Sequence, residues 1–155
     1  MRGLLLFVLL ALCHLGTAHA QTSKRVALLI GNADYQSADS LKNPPNDVRL
    51  VADAAKKAGF RTVTVRNDIG VREFHHALRE FREQADGAEV AMVYYAGHGI
   101  EANGRNWLIP TDAALADDRD LPGEAIELNH VMDAITGATL RLVVLDACRN
   151  NPFGR

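Results

Sequence analysis

LVVLDACRNNPF, Leu142 to Phe153, is the stretch that decides the fold. Its first four residues are leucine and valine, the composition of a strand buried on both faces of a parallel sheet. The run then stops abruptly at an acid, Asp146, a cysteine, Cys148, and a polar turn. Central strands of open α/β sheets present reactive side chains at their carboxyl ends, where the connecting loops form a crevice. Fifty positions upstream of Cys148 another apolar strand, VAMVYY, ends similarly in Ala96-Gly97-His98-Gly99. Two strands thus end near a thiol and an imidazole.

Outward from these ends, apolar runs alternate with helical periodicity. Arg25 to Ile30 reads as a first strand closed by Gly31-Asn32, and Asn32 to Asn43 as loop. Pro44 and Pro45 suit a helix start, with Val48, Val51, Ala55 and Ala58 on one face and Gly59 as its end. Phe60 to Val65 alternates as a second strand, and Asn67-Asp68 offers an N-cap for the next helix. In that helix Val71, Phe74, Leu78, Phe81 and Ala85 share a face, and Arg79 and Glu83 are spaced to pair outside. Val90 to Tyr95 is the third strand. Ile100 to Pro110 contains Asn-Gly between apolar flanks and predicts a β-hairpin. Leu128, Val131, Met132 and Ile135 mark a third helix, and Arg141 to Asp146 the fourth long strand. The expected class is α/β, a three-layer sandwich on a mostly parallel sheet.

The chain has 155 residues, 48% of them hydrophobic, enough for one core. Its formal charge of -2 and the lack of a basic run argue against nucleic acid as a partner. The first twenty residues stand apart: Arg2, an unbroken apolar run from Leu4 to Leu12, then Ala18-His19-Ala20. This pattern predicts a signal peptide over 1–20 and an exported protein, periplasmic or secreted. The run falls well short of the roughly 20 residues that span a membrane, so no membrane association is expected after cleavage. Bulky Leu12 before Cys13 argues against a lipid anchor there. Cleavage would leave Cys148 as the single cysteine, without an intramolecular disulfide partner. Residues 21–155 are expected to form one domain.

Cysteine is nucleophilic as the thiolate, and a nearby histidine lowers its pKa or serves as its base. Each residue alone is a weak signal, because cysteines are often simply buried and a histidine after a strand is often a loop residue. The glycines add weight: Gly97 and Gly99 allow close approach to the backbone, and the amides of Gly99 and Cys148 could form an oxyanion hole.

YYAGHG and LDACRNNPF resemble the two catalytic motifs of the caspase-like cysteine peptidases, in the form found in paracaspases and bacterial caspase homologues. The separation of His98 and Cys148 matches the histidine about 50 residues upstream of the cysteine in caspases. The resemblance runs from RVALLIGN through Asn46-Asp47-Val48 to the end. It implies a caspase-hemoglobinase fold and a cysteine-type endopeptidase with Cys148 as nucleophile, His98 as its partner, and Gly99 and Cys148 amides as oxyanion donors. True caspases carry glutamine where this chain has Asp146, and they cut after aspartate. Paracaspases carry acids matching Asp146 and Asp47, so the resemblance implies cleavage after arginine or lysine and polypeptide substrates rich in such residues. Two carboxylates facing one guanidinium give charge-assisted recognition. Without the resemblance, Asp47 would read as a helix N-terminal acid favoured by the macrodipole.

Relatives continue into a small-subunit region that completes the sheet and the substrate pocket. The chain is therefore expected to be a large-subunit domain truncated at its C-terminus, partnered by a small-subunit segment or a C-terminal continuation. The alternative is a catalytically incomplete binding or regulatory module. No cofactor is expected. Calcium activation, known in metacaspases, finds no motif, since Asp117, Asp118 and Asp120 lack the spacing and bidentate glutamate of an EF-hand and read as a solvated loop. His75, His76 and His130 read as surface or boundary residues, and no metal site is expected. A phosphatase loop is disfavoured, because Arg155 falls one position too late for Cys-x5-Arg.

Overall fold

The computed structural model describes residues 23–148. The expected signal peptide, Cys13 and the tail 149–155 lie outside the described residues. In chain order the elements are β1 (Arg25–Gly31), α1 (Pro44–Lys57), β2 (Thr62–Asn67), α2 (Val71–Ala85), β3 (Val90–Ala102), β4 (Arg105–Leu108), a 3-10 turn (Asp118–Asp120), α3 (Leu121–Glu124), β5 (Ile126–Glu127), α4 (Leu128–Asp133) and β6 (Leu140–Cys148).

Four strands run parallel in the order β2-β1-β3-β6, while β4 and β5 extend the far end of β3 as antiparallel partners. Alternate residues of β1 and β3 enter different cores, as strand geometry requires. Ala27, Leu29, Tyr94 and Ala96 pack with Val48 and Ala52 of α1. On the opposite face Leu28, Ile30, Val93 and Tyr95 pack with Phe74, Leu78 and Phe81 of α2 and Val131 of α4. The three expected layers follow. Burying each large side chain of α2 is worth about 1.5–3 kcal/mol, and these contacts rather than helix propensity hold the helix.

The chain steps outward from β1 to β2, then returns past β1 to β3. That reversal between β1 and β3 is a topological switch point, and the carboxyl ends of those strands flank the natural crevice of the sheet. Asn32, fully buried after β1, closes it from below. Its amide Nδ2 donates to the carbonyls of Ile69 and Ile109, and its Oδ1 accepts from the Ile69 amide. One short side chain thus ties three loops together.

Several local expectations need correction. The amide of Val71 at the start of α2 is satisfied by Asp112 at 2.8 Å, whereas Asn67-Asp68 does not cap the helix. Asp68 instead takes a left-handed backbone (φ 53°) and turns back to accept from the amides of Ala33 and Asp34. Arg79 and Glu83 form no ion pair; Glu80 is the acid of α2 that pairs, with Arg66 and His76. The Asp117 to Asp120 stretch is solvated as expected, but it forms a 3-10 turn with a reciprocal capping box rather than an irregular loop. The hairpin forms where expected, with Asn103 and Gly104 both at positive φ. Beyond Tyr95, however, β3 continues unbroken to Ala102, because β6 and then β4 supply ladder partners. His98 accordingly sits within a strand.

β6 differs most from its reading as a central strand. Among the described residues its only ladder partner is β3, and Leu142, Val144 and Leu145 are 36%, 46% and 40% exposed. No helix among the described residues is long and apolar enough to cross a membrane.

Candidate active site

His98 is fixed from three directions. Its main-chain N–H donates to the Tyr35 hydroxyl at 2.8 Å, and its carbonyl accepts from the Tyr95 hydroxyl at 2.7 Å. The two tyrosine hydroxyls lie 3.3 Å apart. Each phenol has one hydrogen: that of Tyr95 is shared between the carbonyls of His98 and Ile109 (2.9 Å), so Tyr35, which accepts from the His98 amide, is the donor to Tyr95. Burial raises both phenol pKa values, most strongly for the wholly buried Tyr95, so the chain stays protonated and keeps its direction. Gly97 is required here: a Cβ on it would stand 2.6 Å from both hydroxyl oxygens.

The imidazole itself packs on the Tyr35 ring, centroids 4.5 Å apart, and its Nε2 meets the carbonyl oxygen of Asp39 at 2.8 Å. A carbonyl only accepts, so Nε2 carries the hydrogen and the neutral ring keeps its lone pair on Nδ1. Asp39 belongs to the loop after β1, the strand across the switch point.

The parallel ladder of β3 and β6 runs in register from Val90↔Leu140 to His98↔Cys148. Neighbouring strands lie about 4.8 Å apart, so the main chains of His98 and Cys148 are immediate neighbours. On the other edge of β3, Ile109 donates to the His98 carbonyl. Gly99 and Leu108 are therefore the pair that exchanges no hydrogen bonds, and the Gly99 amide points toward β6.

Asp146, two residues before Cys148, accepts a 3.2 Å hydrogen bond from the buried Tyr94 hydroxyl. That phenol is pushed up to about 12, first by burial, then by the Asp146 charge and their hydrogen bond, then by the Asp47 charge. One hydroxyl therefore feels both carboxylates, although they sit on β6 and in the first turn of α1. Asp146 is two residues from the register pair, and Asp47 of α1 is within electrostatic reach of the same phenol.

Sequence reading did not single out Tyr35, Asp39, Tyr94 or Tyr95. A usable signal existed for the last two: adjacent tyrosines in a strand point to opposite faces, so each must find its own hydroxyl partner. Asp39 acts through its main chain and leaves no trace in residue type. Among the described residues no cluster of three or more metal-ligating side chains occurs.

The caspase-domain family model matches residues 24–155. Among curated proteins the chain is 36% identical over 89 residues to the human mucosa-associated lymphoid tissue lymphoma translocation protein 1, covering 57% of this chain and 11% of that protein. It is 34% identical over 97 residues to the mouse homologue, covering 63% and 12% respectively. A paracaspase of Dictyostelium discoideum is 26% identical over 144 residues, covering 86% of this chain and 33% of its own length. The chain thus spans a third or less of the curated relatives it matches. With an α/β sandwich carrying its histidine and cysteine on adjacent parallel strands, and with the family match over nearly all the described residues, the chain belongs to the caspase-domain family of cysteine peptidases.

Proposed function

We propose that the protein is an endopeptidase that cleaves polypeptides after arginine or lysine, with Cys148 as nucleophile and His98 as its acid and base. The observation that carries this reading is the register of His98 opposite Cys148 together with the Nε2–H bond to Asp39, which leaves Nδ1 as the basic nitrogen. His98 takes the thiol proton, and the thiolate adds to the substrate carbonyl. The amides of Gly99 and Cys148 are the donors assigned to the resulting oxyanion; the last ladder pair engages both, so substrate must release them there. His98 then protonates the departing amine as the C–N bond breaks, leaving a thioester. Water, losing a proton to His98, adds to the thioester; the acid is released and the thiol regenerated.

Asp47 and Asp146 supply the preference for a basic side chain. Both charges act on Tyr94, which supports their meeting at one pocket. A guanidinium seated between two carboxylates gains hydrogen bonds and charge together, while an aspartate there would be repelled.

Among the described residues the second edge of β6 has no ladder partner, which supports a dependence on a further segment. A strand from a small-subunit region or C-terminal continuation would pair with β6 and cover Leu142, Val144 and Leu145. The same exposed edge is what favours the second reading, a binding or regulatory module that lacks catalysis without that segment. We also infer from residues 1–20 that the protein is exported to the periplasm or beyond, which cell fractionation with N-terminal sequencing checks.

An arginyl chloromethyl ketone peptide tests the catalytic reading. It should alkylate wild-type protein once, at Cys148, and an aspartyl analogue should react far more slowly. Absence of labelling with or without the added segment would favour the module.

A further inference from the structure

Away from the β3–β6 edge, α2 has a charge asymmetry that the peptidase reading does not use. Arg72, His75, Arg79 and Arg82 recur at spacings of three, four and three, which places them along one flank of the helix. Glu73 and Glu80 fall on the other flank, where Glu80 pairs with Arg66 and His76, while Glu83 stands one turn from Arg79 at the edge of the basic flank without pairing with it. Among the described residues none of Arg72, Arg79 and Arg82 has an acidic partner within ion-pair distance. The four basic residues line an open groove of about 540 Å³ together with Val71, Leu78, Gly123 and His130 of α4. The rings of His75 and His130 meet there at a 57° tilt, with centroids 5.1 Å apart.

We propose that this groove binds a compact, multiply charged phosphoryl anion, an oligophosphate or the phosphate chain of a nucleotide. Unpaired arginines converging on one concavity are costly to assemble without a counter-charge, since like charges in a cleft reinforce one another's field. The His75 pKa lies below its ordinary value, because of burial first and then the nearby His130 and Arg79. An anion offsets the positive field.

Charge density separates phosphate from an acidic peptide. Arg72 to Arg82 spans about 15 Å of helix. An extended peptide presents one side chain to a given surface about every 6.6 Å, so it offers two or three carboxylates over that length. Phosphoryl groups joined through single oxygens offer more charge in the same space, and each has oxygens that fit the fork of a guanidinium. The groove volume exceeds what one orthophosphate needs, which favours a chain of them. The proposal is independent of catalysis.

Isothermal titration of the full chain in chloride buffer, with sodium tripolyphosphate, orthophosphate, ATP and a hexaglutamate peptide as separate titrants, tests it. Tripolyphosphate should bind one to one, at least tenfold tighter than orthophosphate. Comparison of ATP with tripolyphosphate identifies whether a nucleoside adds to the shared phosphate chemistry. Arg79→Ala and Arg82→Ala should each weaken binding about tenfold, the loss of a charge-assisted contact. Arg66→Ala, on the opposite flank, should leave it unchanged. Saturable tripolyphosphate binding should also move the imidazole resonances of His75 and His130. Absence of saturable binding, equal loss in Arg66→Ala, or tighter binding of hexaglutamate would each overturn the proposal.

Discussion

His98 Nε2 and the carbonyl oxygen of Asp39 are 2.8 Å apart although 59 positions separate them in the chain. The Asp39 acceptor is main chain, so its side chain is dispensable for this contact. Asp39→Ala should keep the imidazole hydrogen on Nε2, read from nitrogen chemical shifts of labelled histidine, and should change kcat less than about threefold. A hydrogen on Nδ1 in the wild type would contradict the assignment of Nδ1 as the basic nitrogen.

Asp47 and Asp146 act on the same phenol, and the account gives them the same ligand. Asp146→Asn and Asp47→Asn should each lower kcat/KM for an arginine peptide about tenfold, about 1.4 kcal/mol, while a peptide with a neutral residue before the cut is less affected. Tyr94→Phe keeps both charges and removes only the hydrogen bond to Asp146. Its expected effect is a stability loss of about 1–2 kcal/mol in urea and a smaller loss of arginine preference. Unchanged preference in both acid variants would refute the pocket assignment.

Gly97 has the tightest demand near the site. A Cβ there would lie 2.6 Å from the Tyr35 and Tyr95 oxygens, both anchored to the main chain of His98. Gly97→Ala should cost about 1–3 kcal/mol by overpacking and lower kcat by displacing His98. Denaturant midpoints and turnover measured together check both effects.

The tyrosines also set an alkaline limit. Tyr94 is raised to about 12, and Tyr35 and Tyr95 are raised above their ordinary value of 10.0, each chiefly by burial. Near pH 11 the folded state keeps protons that the unfolded chain releases, so stability falls as pH rises. Below pH 10 this contribution is fully present; it is lost as pH climbs through the folded pKa values. Absorbance titration should show little tyrosinate in folded protein at pH 10.5 and a rise that coincides with unfolding. Early tyrosinate without unfolding would contradict the buried, directed chain of hydroxyls.

Legibility in the sequence followed the physics that fixes each feature. Phe74, Leu78 and Phe81 announce α2 because burial on one face repeats with the helical turn, and Asn103-Gly104 announces the hairpin because few residues accept positive φ twice. His98 and Cys148 were readable as strand-end residues, whereas their shared register depends on how far β3 extends, which only β4 and β6 decide. Asp68 mimics a helix cap in sequence because nothing local reveals the competing amides of Ala33 and Asp34. Leu142 to Leu145 have the composition of a central strand, yet only long-range pairing determines whether that strand has one neighbour or two.

The most direct test of the account is kcat/KM for matched fluorogenic peptides with arginine or aspartate before the cut, using wild type and Cys148→Ala, with the β6-covering segment supplied. The account predicts strong preference for arginine and a loss of roughly 10³-fold or more in Cys148→Ala, with comparable loss in His98→Ala. Turnover that survives Cys148→Ala, or preference for aspartate, would contradict it.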